Sequence, residues 1–444
     1  MGLKLAKLSE HTASGPSYRA SGRVVAVRGA AILARVPLVT VGSLCRIERT
    51  PGEPLLAEAI SFEDDLVCLA PFDHLQGISP GARVESSPLL QPVDASFAVP
   101  GAVLDALGRP LNQFQPGRTS TPLRLNQAPP AALSRQPITE ALETGVQTID
   151  GLCTLAYGQR IGLFASAGVG KSTLLGMISR NAAVDISVIA LVGERGREVR
   201  EFIENCLGEE GLKKAIVIVS TSDEALARRK LAAITATAIA ELYRERGQRV
   251  LLLVDSLTRM ARAIRDIGLA SGEIPVRHGY PSSVYLELPR LLERAGNSAR
   301  GSITAIYTVL TNELGDTDPL AEEVKSLLDG HIVLNPELAA RGIRPAIDPL
   351  MSVSRLCDAV CSKDERDDAR MLIRMLARLK KDRDILLFGG IPDHELQVFL
   401  TYEDHLIKLL TQASGESVSL KQTRRDFHEL SAGIKTALAD KPKL

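Results

Sequence analysis

Between two apolar runs, "RIGLF" (160–164) and "LLGMI" (174–178), the chain inserts "ASAGVGKST", residues 165 to 173. Small residues there remove the side chains that would keep backbone away from a neighbour, and Gly168 and Gly170 admit left-handed backbone. The first run has the length of a buried strand and the second opens a helix, so the segment reads as strand, tight loop and helix start. Such units pack as a mostly parallel sheet covered by helices. Four further apolar runs repeat the theme, "ISVIALV" (186–192), "AIVIVST" (215–221), "RVLLLVD" (249–255) and "SITAIYTVL" (302–310), with longer amphipathic stretches between them. The expected fold class for the middle of the chain is α/β.

The pattern differs on either side. From about residue 19 to residue 90, short β-rich runs such as "GRVVAVRG", "AAILARV", "LVTVGSLCRIER" and "DLVCLAPF" alternate with Gly, Pro and acidic turns, as in a small barrel or sandwich. A Pro- and Gln-rich passage (112–137) reads as a loop or linker. Beyond about residue 361 strands vanish: "DARMLIRMLARLKKDRDILLF" spaces Leu372, Met375, Leu376 and Leu379 as one helical face, with basic residues opposite. The expected organisation is a leader (1–18), a β-barrel domain (19–90), an α/β core (91–360) and a C-terminal helical domain (361–444). A chain of 444 residues is long enough for several cores. The tail "ALADKPKL" is expected to fray.

The opening loop fits the phosphate-binding pattern G-x-x-x-x-G-K-[ST], with Ala165 in the first glycine position, then Gly170, Lys171 and Ser172. Unpaired backbone N–H groups at a helix start wrap a phosphate, and the helix dipole adds to the attraction. Lys171 is placed to neutralise the β and γ phosphates and Ser172 to hold the Mg2+ that bridges them. The candidate nucleotide-contacting residues are Ala165, Gly168, Val169, Gly170, Lys171, Ser172 and Thr173; the bland alternative is a structural strand-to-helix turn. Asp255 ends the strand "RVLLLVD", where ligands sit in open α/β sheets, and is a second candidate for the metal. Glu194 follows another strand end. It is either the carboxylate that polarises an attacking water or half of an ion pair with Arg195 or Arg197. Arg355, past the last core strand, is either structural or a cation reaching a neighbouring subunit's nucleotide.

Composition excludes other classes. Lys plus Arg and Asp plus Glu each total 53, so no global field favours nucleic acid or an anionic membrane. Aromatic residues make up 4%, with no Trp, which leaves few platforms for stacking bases. The N-terminus lacks the apolar core of a signal peptide, and no apolar run approaches the roughly 20 residues of a spanning helix. The expected location is cytoplasmic. Six scattered cysteines suit a reducing compartment. Cys357 and Cys361 can share a helix face, as two metal ligands or as packing residues; no third ligand stands nearby, and packing is expected.

Ordered motifs then extend the case over most of the chain: "VPGAVLDALGRPLN" (99–112), "RQPITEALETGVQTID" (135–150), "GVGKSTLLGMI", "LVGERGREVREFIE", "DSLTRMARA", "GYPSSVYLELPRLLERAG" (279–296), "SLLDGHIVL" and "PAIDPLMSVSR". Together they resemble the catalytic subunits of rotary ATP synthases and, more closely, the type III protein export ATPases of flagella and injectisomes. The resemblance implies ATP and Mg2+ as ligands, with Lys171, Glu194, Arg195 beside it and Arg355 as catalytic residues, and Ser172 and Asp255 on the metal. It implies a homohexamer whose barrels form a crown. The C-terminal helices would face a central stalk protein, the export gate and substrate–chaperone complexes, with a stator protein near the leader and peripheral association at the inner face of the cytoplasmic membrane. Relatives carry Tyr before "PAID", stacked on adenine; here Arg344 occupies that place and would stack instead. The stretch "TNELGDTDP" (311–319) also departs from the family pattern.

Two other readings stay open on sequence alone. An RNA-translocating ring of the Rho kind shares a segment like "DSLTRMARA", although the N-terminal region lacks an aromatic cluster. A noncatalytic nucleotide-binding ring subunit would generally lack the carboxylate supplied here by Glu194. Flagellar and injectisome use are not separated by these residues.

Overall fold

The computed structural model describes residues 20–87, 93–117, 122–311, 319–387 and 390–440. The proposed leader and most of the "TNELGDTDP" stretch lie outside the described residues, as do the last four residues of the tail.

Six strands, β1 (Ser21–Arg28), β2 (Ala31–Arg35), β3 (Leu44–Ile47), β4 (Leu55–Glu63), β5 (Leu66–Pro71) and β6 (Arg83–Ser87), close into a barrel in the order β1-β2-β5-β4-β3-β6. Closure is made by β6 pairing antiparallel with β1, Ser21 opposite Glu85. Side chains alternate in and out along each strand: in β4, Leu55, Ala57 and Ala59 are buried while Leu56, Glu58 and Ile60 are only partly so. Small interior residues, Ala34, Ala57 and Ala59, let the wall curve tightly around Val24, Ile32, Ile47, Leu69 and Val84. The end of β5 turns toward the next domain, where Ala70 and Phe72 join its core.

The central sheet is built from β7 (Val103–Asp105), β8 (Arg160–Ala165), β9 (Ile186–Glu194), β10 (Ala215–Thr221), β11 (Arg249–Asp255), β12 (Ser302–Leu310), β13 (Gly330–Val333) and β14 (Val353–Ser354). Their order is β14-β13-β8-β12-β11-β9-β10-β7. The interior pairings are all parallel, and among the described residues only β14 and the short segment Gly296–Asn297 run antiparallel to their neighbours. A strand covered on both faces needs apolar residues at every position. All nine residues of β9 are buried, with Val188, Ala190 and Val192 facing one core and Ile189 and Leu191 the other. The five apolar runs of the sequence coincide with β8 to β12. β7, β13 and β14 are too short to be distinguished from loops by their composition.

Helix α1 (Lys171–Asn181) follows β8 after the loop 166–170; α2 (Leu226–Glu245) and α3 (Leu257–Ala270) pack on the opposite face beside β11 and β12. Gly176, the third glycine near the loop, serves packing: a Cβ there would come within 2.6 Å of the Cys206 carbonyl oxygen. Three helices, α4 (Lys363–Leu387), α5 (His394–Leu410) and α6 (Leu420–Ala439), form the C-terminal unit. Leu372 and Met375 of the expected apolar face enter its core with Phe399, Leu406, Phe427 and Ile434. Leu376 and Leu379 line a groove of about 580 Å³ shared with Leu338, Ile343, Leu400 and Leu406. The opposite, basic face is engaged in ion pairs, with Arg378 bound to Asp382, Asp393 and Glu395.

Candidate active site

The carboxyl ends of β8, β9 and β11 deliver the three chemical motifs to one edge of the sheet. β8 ends at Ala165, which is buried, and the chain passes through Gly168 at φ +80° and Gly170 at φ +99° before α1 begins. These left-handed positions let the loop curl back over the start of α1. Val169 is buried and anchors the loop, whereas Ser172 and Thr173 are exposed on the first turn of α1.

Lys171 opens α1 and points at two acids. Its Nζ contacts Asp255 Oδ1 closely and lies 3.4 Å from Glu194 Oε1. The side chains of Lys171, Asp255 and Glu194 are 13%, 3% and 10% exposed, so the contacts are made with little water to screen them. Asp255 is held from behind by the Thr308 hydroxyl of β12, which donates to Oδ1 at 2.7 Å. Glu194 is held on its other side by Arg259, whose Nη1 lies 2.8 Å from Oε2 and also donates to the Gly193 carbonyl. Burial pushes the Glu194 carboxyl up to about 7; the Lys171 and Arg259 cations pull it down, and Asp255 and Glu198 add to the rise. A carboxyl poised near neutrality beside a phosphate loop has the properties of a general base.

The ion-pair alternative for Glu194 finds other partners than the arginines expected from spacing. Arg197 is exposed, and Arg195 is engaged with Glu198 at 3.1 Å. Glu198 in turn hydrogen-bonds Glu194, so Arg195 reaches the acid only through that intermediary. Arg355 lies just past the edge strand β14. Its amide donates to the Asp329 carbonyl at 3.0 Å and its exposed guanidinium to the Lys325 carbonyl at 3.4 Å, outside the Lys171 cluster.

Arg344 stands over the phosphate loop: its Nη1 would lie 3.6 Å from a Cβ placed on Gly170. Its backbone is set by Gln412, which is 4% exposed. The Gln412 amide donates to the Arg344 carbonyl at 2.7 Å, its Nε2 donates to the Gly145 carbonyl at 2.8 Å, and its Oε1 accepts from the Gln147 amide at 3.0 Å. Gln412 thus ties the Arg344 segment through its backbone amide, and residues 145–147 through its side chain, to the C-terminal unit.

Sequence reasoning passed over Arg259, Thr308, Glu198 and Gln412. Arg259 carried a visible signal, lying four residues beyond Asp255 within "DSLTRMARA", one turn along α3. Nothing local marks Thr308 or Gln412, since each acts on residues distant in the chain.

A phosphate loop at the carboxyl edge of a parallel sheet, with a buried acid near neutrality and a β-barrel in front, defines a nucleoside triphosphatase of the phosphate-loop class. The chain belongs to the ATP synthase alpha/beta family: the family's nucleotide-binding domain matches residues 145–354 and its beta-barrel domain residues 18–87. The flagellum-specific ATP synthase of Bacillus subtilis (strain 168) is 42% identical over 412 residues, 92% of this chain and 94% of that protein. The type 3 secretion system ATPase of Xanthomonas euvesicatoria is 46% identical over 374 residues, 84% of each. Among solved structures, the assembled ATPase EscN from the enteropathogenic E. coli type III secretion system matches with a TM-score of 0.85 at 40% identity, covering 92% of this chain and 100% of that one. EscN in complex with its central stalk EscO matches with a TM-score of 0.83.

Proposed function

We propose that this chain hydrolyses ATP as one subunit of a homohexameric ring and energises type III protein export, flagellar or injectisome, by releasing or unfolding substrates held by chaperones. The observation that carries the reading is the Lys171–Asp255–Glu194–Arg259 cluster at the phosphate loop. The loop amides and Lys171 bind the nucleotide's phosphates. Glu194 then gives up its contact with Lys171, remains oriented by Arg259, and accepts the proton of the attacking water. Arg355 is exposed at the sheet edge, as a cation meant for an adjacent subunit's nucleotide must be. Arg195 tunes Glu198, and Arg344 packs a planar cation against the base.

Mg2+ fits on donor chemistry. Asp255 presents a buried carboxylate and Ser172 an exposed hydroxyl on the first turn of α1, both hard oxygen donors. The ion when bound would screen the charge of the phosphate oxygens. The relatives' names and the stalk complex of EscN support a ring with a central stalk partner, working on the cytoplasmic side of the membrane. No helix among the described residues is long and apolar enough to cross a membrane, so any membrane association is peripheral in this reading. Export gate, stator and substrate–chaperone complexes complete the set of partners, with no nucleic acid.

The test is ATP hydrolysis by the purified chain across a range of protein concentrations, with and without poly-cytidine RNA. Hydrolysis that rises with ring formation and ignores RNA is expected. Hydrolysis that depends on RNA would overturn the proposal in favour of an RNA translocase.

A further inference from the structure

Cys357 and Cys361 lie in the crossing from the edge strand β14 to helix α4, and their sulfurs are 3.5 Å apart. Cys45, Cys68 and Cys153 are buried, whereas these two are half-buried and open to a small reagent. They bracket the short helix Cys357–Val360; Cys361 ends it with extended backbone, φ −110° and ψ 143°, and its amide donates to the Cys357 carbonyl at 2.9 Å. A disulfide needs the sulfurs about 2 Å apart, so closure asks for a displacement of roughly 1.5 Å at a helix end.

The two thiols are chemically unequal. The Cys357 thiol hydrogen-bonds the Cys361 sulfur at 3.5 Å, and with the Thr154 hydroxyl and the Arg424 guanidinium it pulls Cys361 below the ordinary thiol range, against burial and Glu365. The same pairing pushes Cys357 up. Cys361 also stands two residues before the start of α4, on the side where a helix dipole favours an anion. One thiolate nucleophile beside one neutral resolving thiol is the composition of a redox-active pair.

We propose that Cys357 and Cys361 form a dithiol that peroxides oxidise to an intrachain disulfide, and that the disulfide arrests hydrolysis by stiffening the segment that carries Arg355. The Cys361 thiolate attacks one oxygen of the peroxide, the O–O bond breaks, and hydroxide (or alkoxide) leaves with the electron pair, giving a sulfenic acid. The Cys357 sulfur then attacks that sulfur, its proton leaves with the displaced hydroxyl as water, and the S–S bond forms. Two thiols are oxidised and one peroxide is reduced. Arg355 is two residues from Cys357, and its amide is held by Asp329 at the sheet edge. A bridge across residues 357–361 restricts how far the guanidinium swings, which matters only if Arg355 serves a neighbour's nucleotide; the consequence for activity therefore rests on the proposed function.

The experiment treats the assembled full-length enzyme with hydrogen peroxide, then alkylates free thiols and digests with trypsin. Cleavage after Arg355 and Lys363 leaves both cysteines in one peptide, "LCDAVCSK" (356–363). The expected result is a peptide lighter by two hydrogens and refractory to alkylation, hydrolysis lost in proportion to it, and recovery of both with dithiothreitol. Cys357→Ser and Cys361→Ser should keep the reduced rate and resist peroxide. A peptide with both thiols still alkylated, one that gains oxygen without losing hydrogen, serine variants inactivated as fast as the wild type, or full disulfide with undiminished hydrolysis would each overturn the proposal. The rate before oxidation tests the underlying ATPase reading separately, because the peptide mass reports the disulfide whether or not the enzyme turns over.

Discussion

Lys171 Nζ lies 3.4 Å from Glu194 Oε1 while contacting Asp255, so one ammonium neutralises two acids that end different strands. The arrangement keeps the acids from repelling each other in a poorly hydrated place, and it gives nucleotide binding a chemical consequence. In the proposed mechanism, phosphate oxygens would compete for Lys171 and leave Glu194 to Arg259 and to water.

Removing the ammonium tests that relationship first. Lys171→Ala should weaken nucleotide binding by about 1.5–3 kcal/mol, the range for a hydrogen bond to a charged group, which is roughly ten- to hundredfold in Kd. It should also make the acids harder to keep ionised. Titration with a fluorescent ATP analogue reads the affinity, and unchanged binding would remove Lys171 from the site.

The carboxyl of Glu194 predicts a pH profile. With its proton held up to about 7, the free enzyme carries the neutral acid below that pH and the active carboxylate above it. kcat/KM should therefore fall tenfold per pH unit below about 7 and level off above. The stability sign is opposite. A carboxyl raised from its ordinary 4.5 favours the protonated fold, so its contribution is full below 4.5 and is lost as pH rises through about 7. Glu194→Gln should lower kcat by about 10²–10⁴ while leaving nucleotide affinity nearly intact. A profile unmoved by the substitution would assign the acid limb to another group.

Arg355 is the candidate for catalysis between subunits. Arg355→Ala should retain ATP binding and lose about 10³ or more in kcat. Mixing Arg355→Ala subunits with Lys171→Ala subunits separates the roles. Partial recovery of hydrolysis in mixed rings is expected, because some interfaces then pair an intact phosphate loop with an intact arginine. No recovery would place Arg355 in its own subunit's structure.

The order of the sheet explains what could be read from the chain and what could not. β8 to β12 were legible because a strand buried on both faces must be apolar throughout, and the loop was legible because its curl needs glycine at Gly168 and Gly170. The barrel was readable only as barrel or sandwich: alternation sets which residues face inward, but closure depends on β6 meeting β1 across more than sixty residues of chain. The support of Asp255 by Thr308 exists because β12 lies beside β11, a neighbour relation that no local pattern encodes. Arg195 looked like a partner for Glu194 from adjacency alone, whereas the geometry gives that place to Arg259.

Gln412 joins Arg344 to Gly145 and Gln147, and it makes a prediction about the base side. Gln412→Ala keeps the backbone amide that serves the Arg344 carbonyl but leaves the Gly145 carbonyl without its buried donor and the Gln147 amide without its acceptor, at a cost of about 1–3 kcal/mol of stability. Arg344→Tyr should raise discrimination between ATP and GTP relative to the wild type. Thermal unfolding and competition binding read the two effects; a Gln412→Ala protein as stable as the wild type would show that the clamp carries no load.

Steady-state hydrolysis by size-fractionated rings, compared between the wild type and Glu194→Gln at matched ATP occupancy, separates the chemistry of the Glu194 carboxylate from nucleotide binding. Wild-type rings should split ATP, Glu194→Gln rings should fill with ATP and barely turn over, and monomers of either should be slow. Wild-type rings that fill with ATP and leave it intact, or Glu194→Gln rings that hydrolyse at the wild-type rate, would contradict the proposed mechanism.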